Sequence, residues 1–261
     1  MADVLIRWAV CLSQLSTCFP FIGAMSSLPA LSQPMPAEAF SEIFPLFKAA
    51  NPETLDILHQ GSTFNECPAG RTVLMEDSWG NAVYLIISGW AKVRCQSGNG
   101  YVTLAILGRG EYFGEMAVLN EAPRSTDVAA LSRVELVSIP AQLFIQTLFK
   151  DPQLHHRMLQ LMVQRLRHTQ TRFQLRNKAP GLKMVYSLLG LADAYGEKHG
   201  DAVEIFNIPE SDLAAIADIK QAEVPKILGK LCERGWIHIN PNKNIISLLD
   251  VKSLRHLSKL G

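Results

Sequence analysis

The chain has 261 residues, 48% of them apolar and 19% charged. That balance excludes global disorder, and the length fits two compact domains joined by a connector. The net charge of +1 excludes neither a local basic surface nor a polyanionic partner, because distribution matters more than the sum. Five scattered cysteines, Cys11, Cys18, Cys67, Cys95 and Cys232, include no C-x-x-C spacing. They read as reduced cytosolic thiols; Cys11 and Cys18 offer an iron-sulfur cluster two ligands and no close third.

The first 24 residues are apolar, but Asp3, Arg7, Gln14 and Pro20 interrupt them well short of a membrane span. Met25, followed by Ser26-Ser27-Leu28-Pro29, reads as an ordinary start, so residues 1–36 are expected to be a disordered extension. Phe40, Ile43, Phe44, Leu46 and Phe47 predict a short amphipathic helix, and Pro52 to Leu58 a second. From Thr72 to Ile139 short β-branched and aromatic runs alternate with turn residues: Ala82 to Ile87, Trp90 to Cys95, Tyr101 to Leu107 and Val134 to Ile139. Their even spacing predicts a small antiparallel barrel or roll over residues 37–150.

After Pro140 the period becomes helical, with Phe144, Ile145, Leu148 and Phe149 on one face. A longer helix is predicted from Asp151 to about Asn177. Its apolar residues Leu154, Met158, Leu161, Met162, Leu166 and Phe173 form one stripe on a basic helix, which reads as a dimer seam or as packing on its own barrel. Pro180-Gly181 breaks it, giving a dimerisation helix and hinge over 151–180. Residues 181–261 then show a helix from Leu182 to Ala194 and a second opening at Pro209-Glu210-Ser211-Asp212. After a break at Asp218 a third helix runs to about Arg234, and a hairpin spans Trp236 to Leu248. That order predicts a winged helix-turn-helix, and the fold class is α+β.

The most informative stretch is Gly110-Glu111-Tyr112-Phe113-Gly114-Glu115-Met116-Ala117-Val118-Leu119-Asn120-Glu121-Ala122-Pro123-Arg124-Ser125-Thr126. A phosphate diester inside a small barrel needs a permanent positive charge and backbone donors, which Arg124 and its neighbouring amides can supply. Gly114 lets the main chain come close, and a short helix beginning near Glu115 aims amide groups at an anion. A carboxylate beside a phosphate is out of place unless it accepts from a sugar hydroxyl, the role expected of Glu115. The bland readings are an Arg124–Glu121 surface pair and a simple turn glycine.

Phe113 to Val128 closely resembles the phosphate-binding cassette of the cyclic-nucleotide-binding fold. From about Phe47 onward the chain resembles the cyclic-AMP receptor and fumarate-nitrate regulator superfamily of bacterial transcription factors. The resemblance implies ribose contacts from Gly114 and Glu115 and phosphate contacts from Arg124 and Ser125, with Met116, Ala117 and Thr126 completing the ligand set. It implies an adenine contact from Thr169 and another from Gln170 across a dimer. Asp127 departs from the family's small or apolar residue and adds negative charge near the phosphate position, to lower affinity there or to point outward.

By the same resemblance the DNA-reading helix covers Ile219 to Lys230, with Lys220, Gln221, Ala222, Lys226 and Lys230 as contacts. Gln221-Ala222 stands where the family has an Arg-Glu pair, and Pro225 is expected to delay or kink the helix. Residues 181–261 carry ten acidic and ten basic side chains, without the excess expected of a DNA-binding head. The expectation is a cytoplasmic, cyclic-AMP-responsive homodimeric regulator of transcription that binds double-stranded DNA and RNA polymerase, with no enzyme activity, no cofactor, no metal and no membrane partner. The alternative is a degenerate member in which Glu115 and Arg124 pair with each other and the chain works through a partner regulator, as a heterodimer, or through polymerase.

Overall fold

The computed structural model describes residues 37–259, so the extension expected over 1–36 lies outside the described residues. Helices α1 (Ala37–Ile43) and α2 (Pro52–Gly61) lead into strands β1 (Thr63–Cys67), β2 (Thr72–Leu74), β3 (Ala82–Ser88), β4 (Ala91–Ser97), β5 (Gly100–Leu107) and β6 (Tyr112–Phe113). Helix α3 (Glu115–Leu119), β7 (Asp127–Ala130) and β8 (Val134–Pro140) follow. The strands form two antiparallel sheets, ordered β1-β8-β3-β6 and β2-β7-β4-β5, the barrel that the strand spacing predicts.

Strand β3 explains why one of its runs is apolar without alternation. Tyr84 and Ile86 point between the sheets with Phe113, Val128 and Leu136. Val83 and Leu85, on the opposite face, pack with Val137 and Ile139 against Phe40, Phe44 and Phe144 of the surrounding helices. A strand buried on both faces needs apolar residues at every position. Strand β4 begins at Ala91, one residue after the predicted start, because Trp90 is committed elsewhere.

Helix α4 (Ala141–Lys150) buries Phe144 and Leu148, but Phe149, predicted on the same face, is 79% exposed. Five residues on, it stands roughly 140° around the helix from Phe144. Helix α5 (Pro152–Gln174) is capped by Asp151, whose carboxylate accepts the Gln153 and Leu154 amides at 3.0 and 3.1 Å and the Asn51 amide at 2.7 Å.

The predicted single stripe on α5 divides into two rows. Leu154 and Met158 are buried and Leu161 and Met162 half-buried against the barrel. Leu166 and Phe173, at 58% and 73% exposure, turn away and join Leu159 and Val163 in an outer row. Positions 159, 163, 166, 170 and 173 alternate steps of four and three, the spacing of a coiled-coil seam, with Gln170 at one of its positions. Arg165, Thr169 and Arg172 continue the inner row.

A 3-10 turn (Leu175–Asn177) and extended Lys178 precede α6 (Pro180–Tyr195), whose first turn holds Pro180. Strands β9 (Glu197–His199) and β10 (Ala202–Phe206) come next; the sequence reading has no hairpin there. Helix α7 (Glu210–Ala217) stops at Asp218, left-handed with φ 51°. Gln221–Glu223 form a 3-10 turn, and α8 (Val224–Glu233) starts with Pro225 in its first turn, so the proline delays the helix without kinking it. Strands β11 (Ile237–Asn240) and β12 (Ile245–Leu248) make the predicted wing, in the sheet β11-β12-β10-β9, and α9 (Val251–Lys259) closes the chain where no helix is predicted. The fold is α+β with a C-terminal winged helix-turn-helix. Among the described residues no helix is long and apolar enough to cross a membrane.

The C-terminal head is docked on the barrel. Its core takes in Ile106 of β5, and Trp90 stacks on Phe206 and meets Tyr195 edge-on. Asp212 of α7, only 3% exposed, receives the Lys92 ammonium at 2.8 Å and the Thr103 hydroxyl at 2.6 Å.

Candidate functional site

The turn between β6 and α3 places Gly114 at φ 84°, a conformation that costs a side chain strain. A Cβ there would also lie 2.6 Å from the Arg124 guanidinium, so close approach and backbone shape both require glycine. Arg124 is 3% exposed. Its Nη1 donates to the Gly114 carbonyl oxygen and its Nη2 to that of Ala82 at 2.7 Å. Its Nε is buried and donates to nothing among the described residues. Among the described residues no carboxylate stands in ion-pair contact with it: Glu121, the surface partner considered from sequence, is exposed, and Glu115 is engaged elsewhere. Burial holds the Arg124 value below that of a free guanidinium, against the pull of Tyr84 and Glu115. A buried charge with neutral partners alone costs several kcal/mol, an arrangement suited to receiving an anion.

The partner of Glu115 is Arg165, which the sequence reading does not name. Its Nη1 lies 2.7 Å from Glu115, and its Nη2 lies 2.7 Å from Glu111 and donates to the Tyr112 carbonyl oxygen at 2.6 Å. The guanidinium also covers the Tyr112 ring at 3.9 Å. Burial tends to lower the Arg165 value, yet Glu115 and Glu111 outweigh it and raise the value. Burial raises the Glu115 carboxyl despite Arg165, and pushes the Tyr112 hydroxyl up to about 12. The proposed Glu115–Arg124 pair is therefore absent here, replaced by a bridge from α5 to the cassette.

Of the other residues expected to meet a ligand, Ala117 is buried 3.0 Å from where a Cβ of Gly80 would stand, Thr126 is half-buried, and Met116 and Ser125 are exposed. Asp127 does not burden the phosphate position. It is buried in the other sheet, 3.2 Å from Arg94, and accepts the Glu76 amide at 2.7 Å. Thr169 and Gln170 make no hydrogen bond to the cassette; the Thr169 hydroxyl donates to the Arg165 carbonyl oxygen at 3.1 Å and Gln170 is exposed on the outer row. Thr169 lines a cavity of about 700 Å³ between barrel and head that also takes in Glu111, Tyr112 and Arg165 but neither Arg124 nor Ser125. On the head, Lys220, Gln221, Ala222, Lys226 and Lys230 are all exposed, Gln221 and Ala222 in the 3-10 turn rather than in the helix.

Residues 64–151 match the family described as the cyclic nucleotide-binding domain. Over 206 residues, 77% of this chain and 92% of the other, the sequence is 25% identical to the CRP-like cAMP-activated global transcriptional regulator of Mycobacterium tuberculosis. It is 29% identical over 199 residues to the cyclic AMP receptor protein of Thermus thermophilus, covering 76% of this chain and 89% of that one. The fold is shared with FixK2 from Bradyrhizobium japonicum, with a TM-score of 0.65 at 16% identity over 75% of this chain and 96% of that chain.

Proposed function

We propose that this chain, which belongs to the cyclic-AMP receptor and fumarate-nitrate regulator superfamily of transcription regulators, is a dimeric, DNA-binding regulator whose effector is a cyclic nucleotide, cyclic AMP before others. The observation that carries the reading is Arg124, a buried cation with an idle Nε and no carboxylate in contact, set against the backbone of Gly114. A cyclic phosphate supplies the missing negative charge through charge-assisted hydrogen bonds, with Ser125 and Thr126 beside it. Glu115, held by Arg165, accepts from the ribose hydroxyl. The base lies toward α5, where Thr169 is on the inner row and Gln170 of the partner subunit reaches across the seam.

The outer row of α5 supports the dimer: Leu159, Val163, Leu166 and Phe173 are too exposed for residues without a partner surface. Leu166→Lys is expected to yield monomers in sedimentation analysis, whereas a dimer of wild-type strength would move the interface elsewhere. Two heads held this way meet successive major grooves through the exposed Lys226 and Lys230 faces, with Gln221 at a base edge. Heterodimers and contact with RNA polymerase are extensions of the same reading. The degenerate alternative is less supported, since its defining pair of Glu115 with Arg124 is not formed.

Calorimetric titration of the chain with cyclic AMP and cyclic GMP tests the proposal. Saturable binding that disappears in Arg124→Ala is expected; equal binding in that variant would remove the cassette from the mechanism.

A further inference from the structure

The cavity between barrel and head shares Thr169 and Arg165 with the site proposed for the nucleotide but extends away from Arg124 toward the head, where Arg172 and α6 line it. One wall is β5 with the turn after it, another the inner row of α5, a third α6, and Ile216 of α7 closes an end. Ile106, Leu161, Leu191 and Ile216 make it mainly apolar, with the Tyr186 and Tyr195 rings among them. Its volume of about 700 Å³ lies within the range of small-molecule pockets.

Two features argue that the space is kept open and charged. Ser187, Gly190 and Ala194, all small residues, line it from one face of α6. A Cβ on Gly190 would meet nothing within 4 Å, so the helix carries a residue that destabilises it relative to alanine at a position where a larger one fits. The charge comes from Arg172. Arg165 is matched by Glu111 and Glu115, but Arg172, farther along the same row, has no ion pair among the described residues. Its guanidinium donates to the Leu104 carbonyl oxygen, and Asp218 acts on it only at longer range.

We propose that this cavity binds an amphipathic monoanion, a medium-chain or aromatic carboxylate whose apolar body lies along Leu161 and the two tyrosines and whose acid group meets Arg172. Barrel and head both supply walls, so an occupant favours the docked arrangement that Lys92 and Asp212 hold.

Calorimetry of the full chain with dodecanoate, kept below its micelle concentration, is the test. Saturable binding at one site per chain is expected. Gly190→Leu, which fills the open space, should weaken it by about tenfold or more, and Arg172→Gln by about fivefold to tenfold. Dodecanol should bind more weakly than dodecanoate by a similar factor. Thermal melting of Gly190→Leu at or above the wild-type midpoint assures that the variant is folded, whatever the outcome at the cassette. Absence of saturable binding in the wild type, wild-type affinity in both variants, or equal affinity for the alcohol would each overturn the proposal.

Discussion

Two guanidinium groups flank the same short stretch of chain and live under opposite electrostatic terms. Arg165 has two carboxylates and a carbonyl at hydrogen-bond distance, while Arg124, more deeply buried, has two carbonyls and an idle Nε. Arg165 is therefore satisfied by the protein itself, and its task is to join α5 to the cassette. Arg124 is satisfied only in part. Charge alone does not mark a ligand site; charge that the fold leaves unneutralised does.

Substitution by methionine separates the two. Arg124→Met should lower cyclic-nucleotide affinity by at least about 100-fold while changing the unfolding free energy of the ligand-free chain by no more than about 1 kcal/mol. Arg165→Met leaves Glu115 buried without its cation. That should cost about 2–3 kcal/mol in urea denaturation, less than for a wholly buried pair because Arg165 is partly open to water. Equal destabilisation by the two would collapse the distinction and make Arg124 a structural cation. The smallest effect is a slope. Because burial raises the Glu115 carboxyl, the folded chain holds that proton more tightly than the unfolded one. The stabilisation from this group is complete below the unfolded value near about 4.3 and is lost as pH rises through the raised folded value. Glu115→Gln should remove that declining limb above the ordinary carboxylate range, and an unchanged slope would assign it to another carboxyl.

What the sequence discloses here follows from range. The cassette is legible because Gly114, Glu115 and Arg124 lie within one continuous run, and β3 because its burial demands apolar residues throughout. Arg165 is not legible, since its partner Glu115 stands 50 positions away and a lone arginine on a basic helix resembles its neighbours. The bond between Thr103 and Asp212 spans 109 positions. On α5 periodicity finds apolar rows but does not say what covers each, so barrel-facing Leu154 and outward Leu166 read as one stripe. The β9–β10 hairpin escapes because exposed Glu197-Lys198-His199 has no apolar alternation to announce an edge strand.

Strand β4 makes no contact assigned to nucleotide or to DNA, yet it is the crossbeam on which both rest. Along one side it is laced to β7, the direct continuation of the Arg124-Ser125-Thr126 turn, with Arg94 opposite Asp127 and Lys92 opposite Ala129. Two residues from Arg94, the Lys92 ammonium grips Asp212 of the head. Cassette and head are thus bolted to a single plank, and a tilt of one cannot be absorbed in a slack loop before it reaches the other.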